Sequence, residues 1–148
     1  MDVLQFKNMT TPFLACGPWP VESGTVERIE ISDCLADMPR GDPRSGLEDG
    51  LVAFFREAFR VLIPHGTLGI VVPPASHPLA ISHPRHCRYF GKESFYPFAR
   101  PARHLLEDER QWENWTWTQF GEDFGVRFEL MLVHESHGSL EIELEKTE

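Results

Sequence analysis

Apolar and polar positions alternate along Val26-Glu27-Arg28-Ile29-Glu30-Ile31-Ser32, which predicts a strand with one wet face. The period then changes. Leu47, Leu51, Phe55, Ala58 and Leu62 fall at helical spacing, and Phe54, Phe59 and Val61 widen the stripe, so a largely buried helix is expected. Ser45 followed by Glu48 reads as its capping box, with Pro64 and Gly66 as its stop. Thr67–Val72 is a continuous apolar run, expected to be a strand buried on both faces. Strand, helix and strand together predict a right-handed βαβ unit.

Further along, residues 73–104 hold six of the twelve prolines and four of the seven histidines. This predicts a long functional or interface loop, with one short helix at Glu93–Phe98. Residues 105–119 read as a Trp-rich helix. Val126–Val133 reads as a strand, His134–Gly138 as a turn, and Leu140–Glu145 alternates strictly, which predicts an antiparallel hairpin. The expected organisation is one domain over 1–148: an arm (1–24), a strand-helix-strand unit (25–73), a loop and helix (74–122) and the hairpin (123–148). Within the arm, Val3, Leu4 and Phe6 can form a short strand.

Charge narrows the function. Fourteen Lys and Arg against 23 Asp and Glu give a net charge of −9, which disfavours nucleic acid as a partner. No apolar run reaches the ~18 residues that a membrane helix needs, and the N-terminus does not read as a secretory signal. Three scattered cysteines (Cys16, Cys34, Cys87) without C-x-x-C point to a reducing, cytoplasmic setting.

Three stretches carry a resemblance. Phe55-Arg56-Glu57-Ala58-Phe59-Arg60-Val61-Leu62-Ile63-Pro64-His65-Gly66-Thr67-Leu68-Gly69-Ile70-Val71-Val72-Pro73 closely resembles the signature F-x-E-x-x-R-V-L-K-P-G-G-T-L-x-I-x-x-P. Pro18-Trp19-Pro20-Val21-Glu22-Ser23-Gly24-Thr25-Val26-Glu27-Arg28-Ile29 is similar to P-W-P-F-x-D-x-S-V-D-x-I. Ser82-His83-Pro84-Arg85-His86-Cys87-Arg88, with Glu93-Ser94-Phe95, is similar to a D-P-T-H-x-R…E-S-F segment. Together they resemble the second half of a class I S-adenosylmethionine-dependent methyltransferase of the type 11 kind, in a form common in phages and bacteria. The resemblance implies an α/β fold: a truncated, Rossmann-like sheet ending in the antiparallel hairpin.

The chain departs from that pattern where the cofactor would bind. It has no G-x-G triple, the feature that lets backbone N–H groups approach a nucleotide cofactor. No acidic residue follows a second strand, and the chain reads as starting near the third. Cys34-Leu35-Ala36-Asp37 stands where the family shows h-x-L-E-H. His83 replaces the Asp of the D-P-T-H segment, while His86 and Arg88 stay. The expectation is a chain that binds no cofactor alone and acts as a non-catalytic interaction module, phage-encoded as a virion accessory or host-protein modulator. The alternative is one subunit of a split methyltransferase, with S-adenosylmethionine bound only when a partner completes the site.

Candidate chemistry follows. The resemblance turns the loop holding Ser32, Asp33 and Asp37 toward cofactor and substrate, together with His86; loop capping is the plainer role for the two aspartates. His77, His83, His86 and Cys87 are metal-ligating types, but their spacing matches no strong zinc pattern. Cys34 is read as a nucleophile or as a small buried hydrophobe. Trp112, Trp115 and Trp117 suit a partner hot spot or core packing. Arg85 and Arg88, with Lys92, Arg100 and Arg103, suit an acidic partner or internal pairing with Glu107, Asp108 and Glu109. The class I strand order is 3-2-1-4-5-7-6. Its second half alone leaves strand four with a bare edge, to be covered by Asp2–Met9, by a second copy or by another protein. A homo-oligomer or protein partner is therefore expected.

Overall fold

The computed structural model describes residues 3–7, 18–42, 44–105 and 125–147. It holds a six-stranded sheet built from β1 (Val3–Lys7), β2 (Val26–Ser32), β3 (Leu62–Val72), β4 (Ala99–Pro101), β5 (Phe128–Ser136) and β6 (Ser139–Lys146), with helices α1 (Gly50–Val61) and α2 (Pro78–Ser82). The strand order is β1-β2-β3-β6-β5-β4. β1, β2 and β3 run parallel, while β6 is antiparallel to both β3 and β5. This is a mixed α/β sheet with an antiparallel C-terminal hairpin, the expected fold class. Among the described residues no helix is long and apolar enough to cross a membrane.

Register follows from alternation. Ile29 and Ile31 of β2 stand beside Leu68 and Ile70 of β3, which face Leu144 and Ile142 of β6. All six are buried. One sheet face is thus a continuous apolar surface, and α1 packs its Phe54, Phe55, Ala58 and Val61 into the same core. The two adjacent phenylalanines divide the labour. Phe54 meets Trp19 and Phe6, with ring centroids 5.6 and 6.2 Å away. Phe55 stacks on Phe98 at 4.1 Å and meets Phe128 edge-on. One helix turn therefore ties the β1 side of the sheet to the β4–β5 side. Each ring contributes about 1.5–3 kcal/mol by burial.

Several local expectations are corrected. The helix cap is Asp49, whose Oδ1 accepts the N–H groups of Leu51 and Val52; Ser45 and Leu47 lie in the preceding turn, and Glu48 pairs with Arg56. α1 ends at Val61 and passes directly into β3, so Leu62 is strand rather than helix. Val26 pairs with Leu62 but Arg28 with Thr67, so Ile63–Gly66 bulges within the strand, with His65 at φ 64°. Pro64 and Gly66 shape this bulge rather than stopping the helix. The hairpin turn narrows to His137–Gly138, and the helix expected at 93–98 is a 3-10 turn at Lys92–Phe95. The Trp-rich helix expected over 105–119, and Cys16, lie outside the described residues, except that Leu105 ends a 3-10 turn from Arg103.

β3 is not buried on both faces. Leu68, Ile70 and Val72 are buried, whereas Thr67, Gly69 and Val71 on the other face are half-buried. That face carries charge. Arg28 bonds Glu30 and the Thr67 hydroxyl, and lies across Gly69, where a Cβ would sit 2.7 Å from its guanidinium.

The edge of strand four is covered from within Asp2–Met9, the first of the expected alternatives. β1 pairs in parallel with β2 along its length, Val3 beside Arg28 through Lys7 beside Ser32. The order β1-β2-β3-β6-β5 corresponds to positions 1-4-5-7-6 of the class I sheet, so a strand stands in the first position. The β2 edge gives no reason to require a second copy.

Candidate functional site

Ligands of α/β folds bind beyond the carboxyl ends of parallel strands. There the chain leaves β2 at Asp33, held at φ 59° with its N–H donating to the Val71 carbonyl. A 3-10 turn follows at Leu35–Asp37. After β3, α2 starts with Pro78 at its first position, and the His77 side chain accepts the Leu79 N–H as its cap. The chain then turns through His83–Arg85 to His86.

Hydrogen bonds sew this second loop onto the first. Cys87 donates its N–H to the Ala36 carbonyl and its thiol to the Met38 carbonyl. Arg88 donates to the carbonyls of Met38 and Pro39 and, at 2.8 Å, to Asp49 Oδ2. Arg40 donates back to the Cys87 carbonyl. These bonds set His86 opposite Asp37, with His86 Nε2 4.0 Å from Asp37 Oδ1. His83 and His86 have ring centroids 5.1 Å apart. Asp37, His83 and His86 thus each bring one metal-ligating atom within 4.8 Å of the others. A cleft of about 250 Å³, lined by Asp33, Pro73, Leu79, His83, His86 and Gly138, opens beside them.

The electrostatics are unusual at Asp37. Its side chain is 5% exposed, and among the described residues neither carboxylate oxygen has a hydrogen-bond partner. Burial pushes its carboxyl above the ordinary range, against the opposing charges of His86, His83 and Arg85. Asp49 is the contrast. Burial acts on it too, but the Arg88 hydrogen bond and charge, with two backbone N–H groups, hold its carboxyl below the ordinary range.

The sequence candidates therefore scatter. His83, His86 and Asp37 gather. His77 is committed to capping α2 and Cys87 to holding the loop, so neither joins that cluster. Asp33 lines the cleft, while Ser32 lies beside Gln5 and Val71 on the opposite side of the strand end. Cys34 is fully buried, with its thiol donating to the Ser32 carbonyl. Arg85 is exposed, whereas Arg88 is spent on internal bonds. Trp112, Trp115 and Trp117 lie outside the described residues, as do Glu107, Asp108 and Glu109. The sequence grouped Asp37 and His86 with Ser32 and Asp33 as site candidates; what brings these two face to face is the zipping of residues 36–40 to 87–88, which no local pattern announces.

The fold is similar to that of solved methyltransferase structures. An S-adenosylmethionine-dependent methyltransferase from Thermotoga maritima superposes with a TM-score of 0.50 at 11% identity, covering 90% of this chain and 61% of that one. The antibiotic-resistance methyltransferase Kmr gives a TM-score of 0.38 at 14% identity, covering 84% of this chain and 52% of that one. The chain thus spans less than two thirds of the length of either. No protein-family model and no curated protein matches it. The architecture is that of the class I methyltransferase fold, with its antiparallel C-terminal strands.

Proposed function

We propose that this chain is a methyltransferase-fold interaction protein that does not by itself bind S-adenosylmethionine. One observation carries the reading. β1 stands in the position of the fold's first strand, yet Lys7 is followed by Asn8-Met9-Thr10-Thr11-Pro12, with no glycine before Gly17. That stretch of sequence lacks the glycines by which this fold lets its backbone approach a nucleotide cofactor. The partner we propose is a protein: α2 exposes Leu79, which lines the cleft, and its neighbour Ile81, at 54% and 69%, and adjoining exposed apolar side chains offer surface for a partner to cover. The resemblance of the Ser82–Phe95 segment favours a phage-encoded accessory or modulator.

The test is calorimetric titration of S-adenosylmethionine into the purified chain, coupled with light scattering. No cofactor heat is expected. A stable dimer without heat makes the partner a second copy, and a monomer without heat makes it another protein. Stoichiometric cofactor binding would overturn the reading.

A second reading has its own support. The desolvated Asp37 carboxylate facing His86 is the kind of acid-base pair that a substrate-side half site uses. In a split methyltransferase, a partner would supply the glycine loop. Methyl transfer on mixing with such a partner, and its loss in His86→Ala, would establish this reading.

A further inference from the structure

We infer that Asp37, His86 and His83 form a binding site for a divalent transition-metal cation of the zinc class. The inference is independent of whether the chain binds a methyl donor.

Three observations converge on it. The first is the Asp37 carboxylate. It is buried, it is aimed at two imidazoles, and neither oxygen has a hydrogen-bond donor among the described residues. A buried carboxylate without donors is costly, and such groups are stabilised by a paired charge or a metal. The second is the tautomer of His86. Its Nδ1 lies 3.0 Å from the Ala80 carbonyl, which can only accept, so Nδ1 carries the proton. In the neutral ring that a metal needs, the lone pair is then on Nε2, which faces Asp37. A backbone carbonyl behind a ring nitrogen is the usual support of a metal-ligating histidine. The third is the spacing. Asp37 Oδ1 and His86 Nε2 are 4.0 Å apart, too far to hydrogen-bond. A tetrahedral cation with bonds of about 2.0–2.2 Å holds two ligands ~3.4 Å apart. The pair needs only a small closure to grip an ion, and the same gap is too wide for a direct ion pair of full strength.

His83 completes the set from the solvent side. Its Nδ1 accepts the Arg85 N–H at 3.2 Å, a long and exposed bond; once it is given up, the ring proton can move from Nε2 to Nδ1 and free the Nε2 lone pair for the cation. Two imidazoles and one carboxylate leave at least one coordination position open, and it faces the cleft beside Leu79 and Asp33. A site with three protein ligands and an open position is of the catalytic rather than the structural kind. His77, committed to helix capping, serves as the internal control.

The experiment uses the full chain without an affinity tag. Zinc chloride is titrated calorimetrically after chelator treatment, and cobalt(II) absorption reports ligand number and geometry. One equivalent of zinc should bind, and thermal melts should shift upward with zinc. Asp37→Asn and His86→Ala should each weaken binding by at least ~100-fold, since even a supporting contact is worth 10–100-fold. His77→Asn, which can still cap α2, should bind as the parent does. Asp37→Asn keeps the shape of the side chain and removes only a buried charge, so its metal-free melting temperature should hold or rise, which separates ligand loss from unfolding. Absence of stoichiometric binding in the parent would overturn the site, as would binding that survives Asp37→Asn or is lost in His77→Asn.

Discussion

Glu57 Oε1 accepts the backbone N–H of Trp19 at 2.7 Å. The two residues come from motifs that sequence reading treats separately, and the structure docks one on the other. Arg60 closes the arrangement: it holds Glu57 at 2.7 Å and donates to the carbonyls of Trp19 and Val21 and to the Ser23 hydroxyl. The Glu and Arg of the E-x-x-R motif are therefore the anchor of the lead-in to β2. The Arg60 hydrogen bond holds the Glu57 carboxyl below its ordinary range, against the opposing effect of burial. Glu57→Ala should cost about 1–3 kcal/mol, since it strands the Trp19 N–H and part of a guanidinium. Urea unfolding measures this, and a loss below 0.5 kcal/mol would place the anchor elsewhere.

Asp37 makes a pH prediction of opposite sign to most carboxylates. Its folded-state pKa is raised by burial above the ordinary 3.8. Stability is then lost as pH rises from below the unfolded value through the raised folded one, and it stays lost at neutral pH. In metal-free buffer with chelator, Asp37→Asn should melt higher than the parent at pH 7. The difference should shrink toward zero below pH 3.8. Parallel thermal melts across that range decide the matter, and a difference that does not vary with pH would contradict it.

Asp49 behaves in the ordinary sense. Its depressed pKa adds stability above the unfolded value, and this is lost as pH falls through the folded one. The residue caps α1 and pairs with Arg88, so Asp49→Ala should remove a cap worth about 1 kcal/mol and leave Arg88 half-paired. Because Arg88 belongs to the seam that positions His86, the same variant should loosen residues 83–88. Hydrogen exchange should speed at the Cys87 N–H, which otherwise donates to Ala36 at 2.8 Å.

Gly41 packs where no side chain fits. A Cβ there would stand 2.7 Å from the Asp49 nitrogen and 2.9 Å from the Leu47 carbonyl. Both obstacles are backbone and cannot swing aside. Gly41→Ala should destabilise by roughly 1–3 kcal/mol through overpacking, whereas Gly24→Ala, with open space around it but φ at 68°, should cost about 1 kcal/mol. Chemical denaturation of the pair ranks the two.

Periodicity was enough for β2, for most of α1 and for the hairpin, because their side chains alternate or stripe strongly enough to override local detail. It failed where position in space mattered. Ser45–Glu48 has the letters of a capping box, but the bridge between Asp42 and Leu47 holds that turn apart and leaves Asp49 to cap. Pro64 and Gly66 look like a helix stop, yet a strand absorbs them as a bulge. Val3, Leu4 and Phe6 were legible as a short strand, and β2 supplies the partner. At the candidate site, His83 and His86 were legible as metal-ligating types, and Asp37 only as a loop acid. Their meeting depends on carbonyl bonds from Cys87 and Arg88, which have no signature in the order of residues.

β6 is the last of these strands to be synthesised, yet it lies between β3 and β5. Glu145 pairs with Thr67, and Lys146 Nζ donates to the carbonyls of Phe59 and Leu62 at the junction of α1 and β3. A growing chain can therefore assemble β1, α1, β2 and β3 while one flank of β3 still waits for its neighbour. The centre of the sheet closes only by a contact nearly eighty residues long in sequence, a topology that folds slowly. During that interval β3 keeps one flank of unpaired backbone groups, the kind of edge that invites wrong pairing, and this exposure is the cost of placing the final strand in the middle.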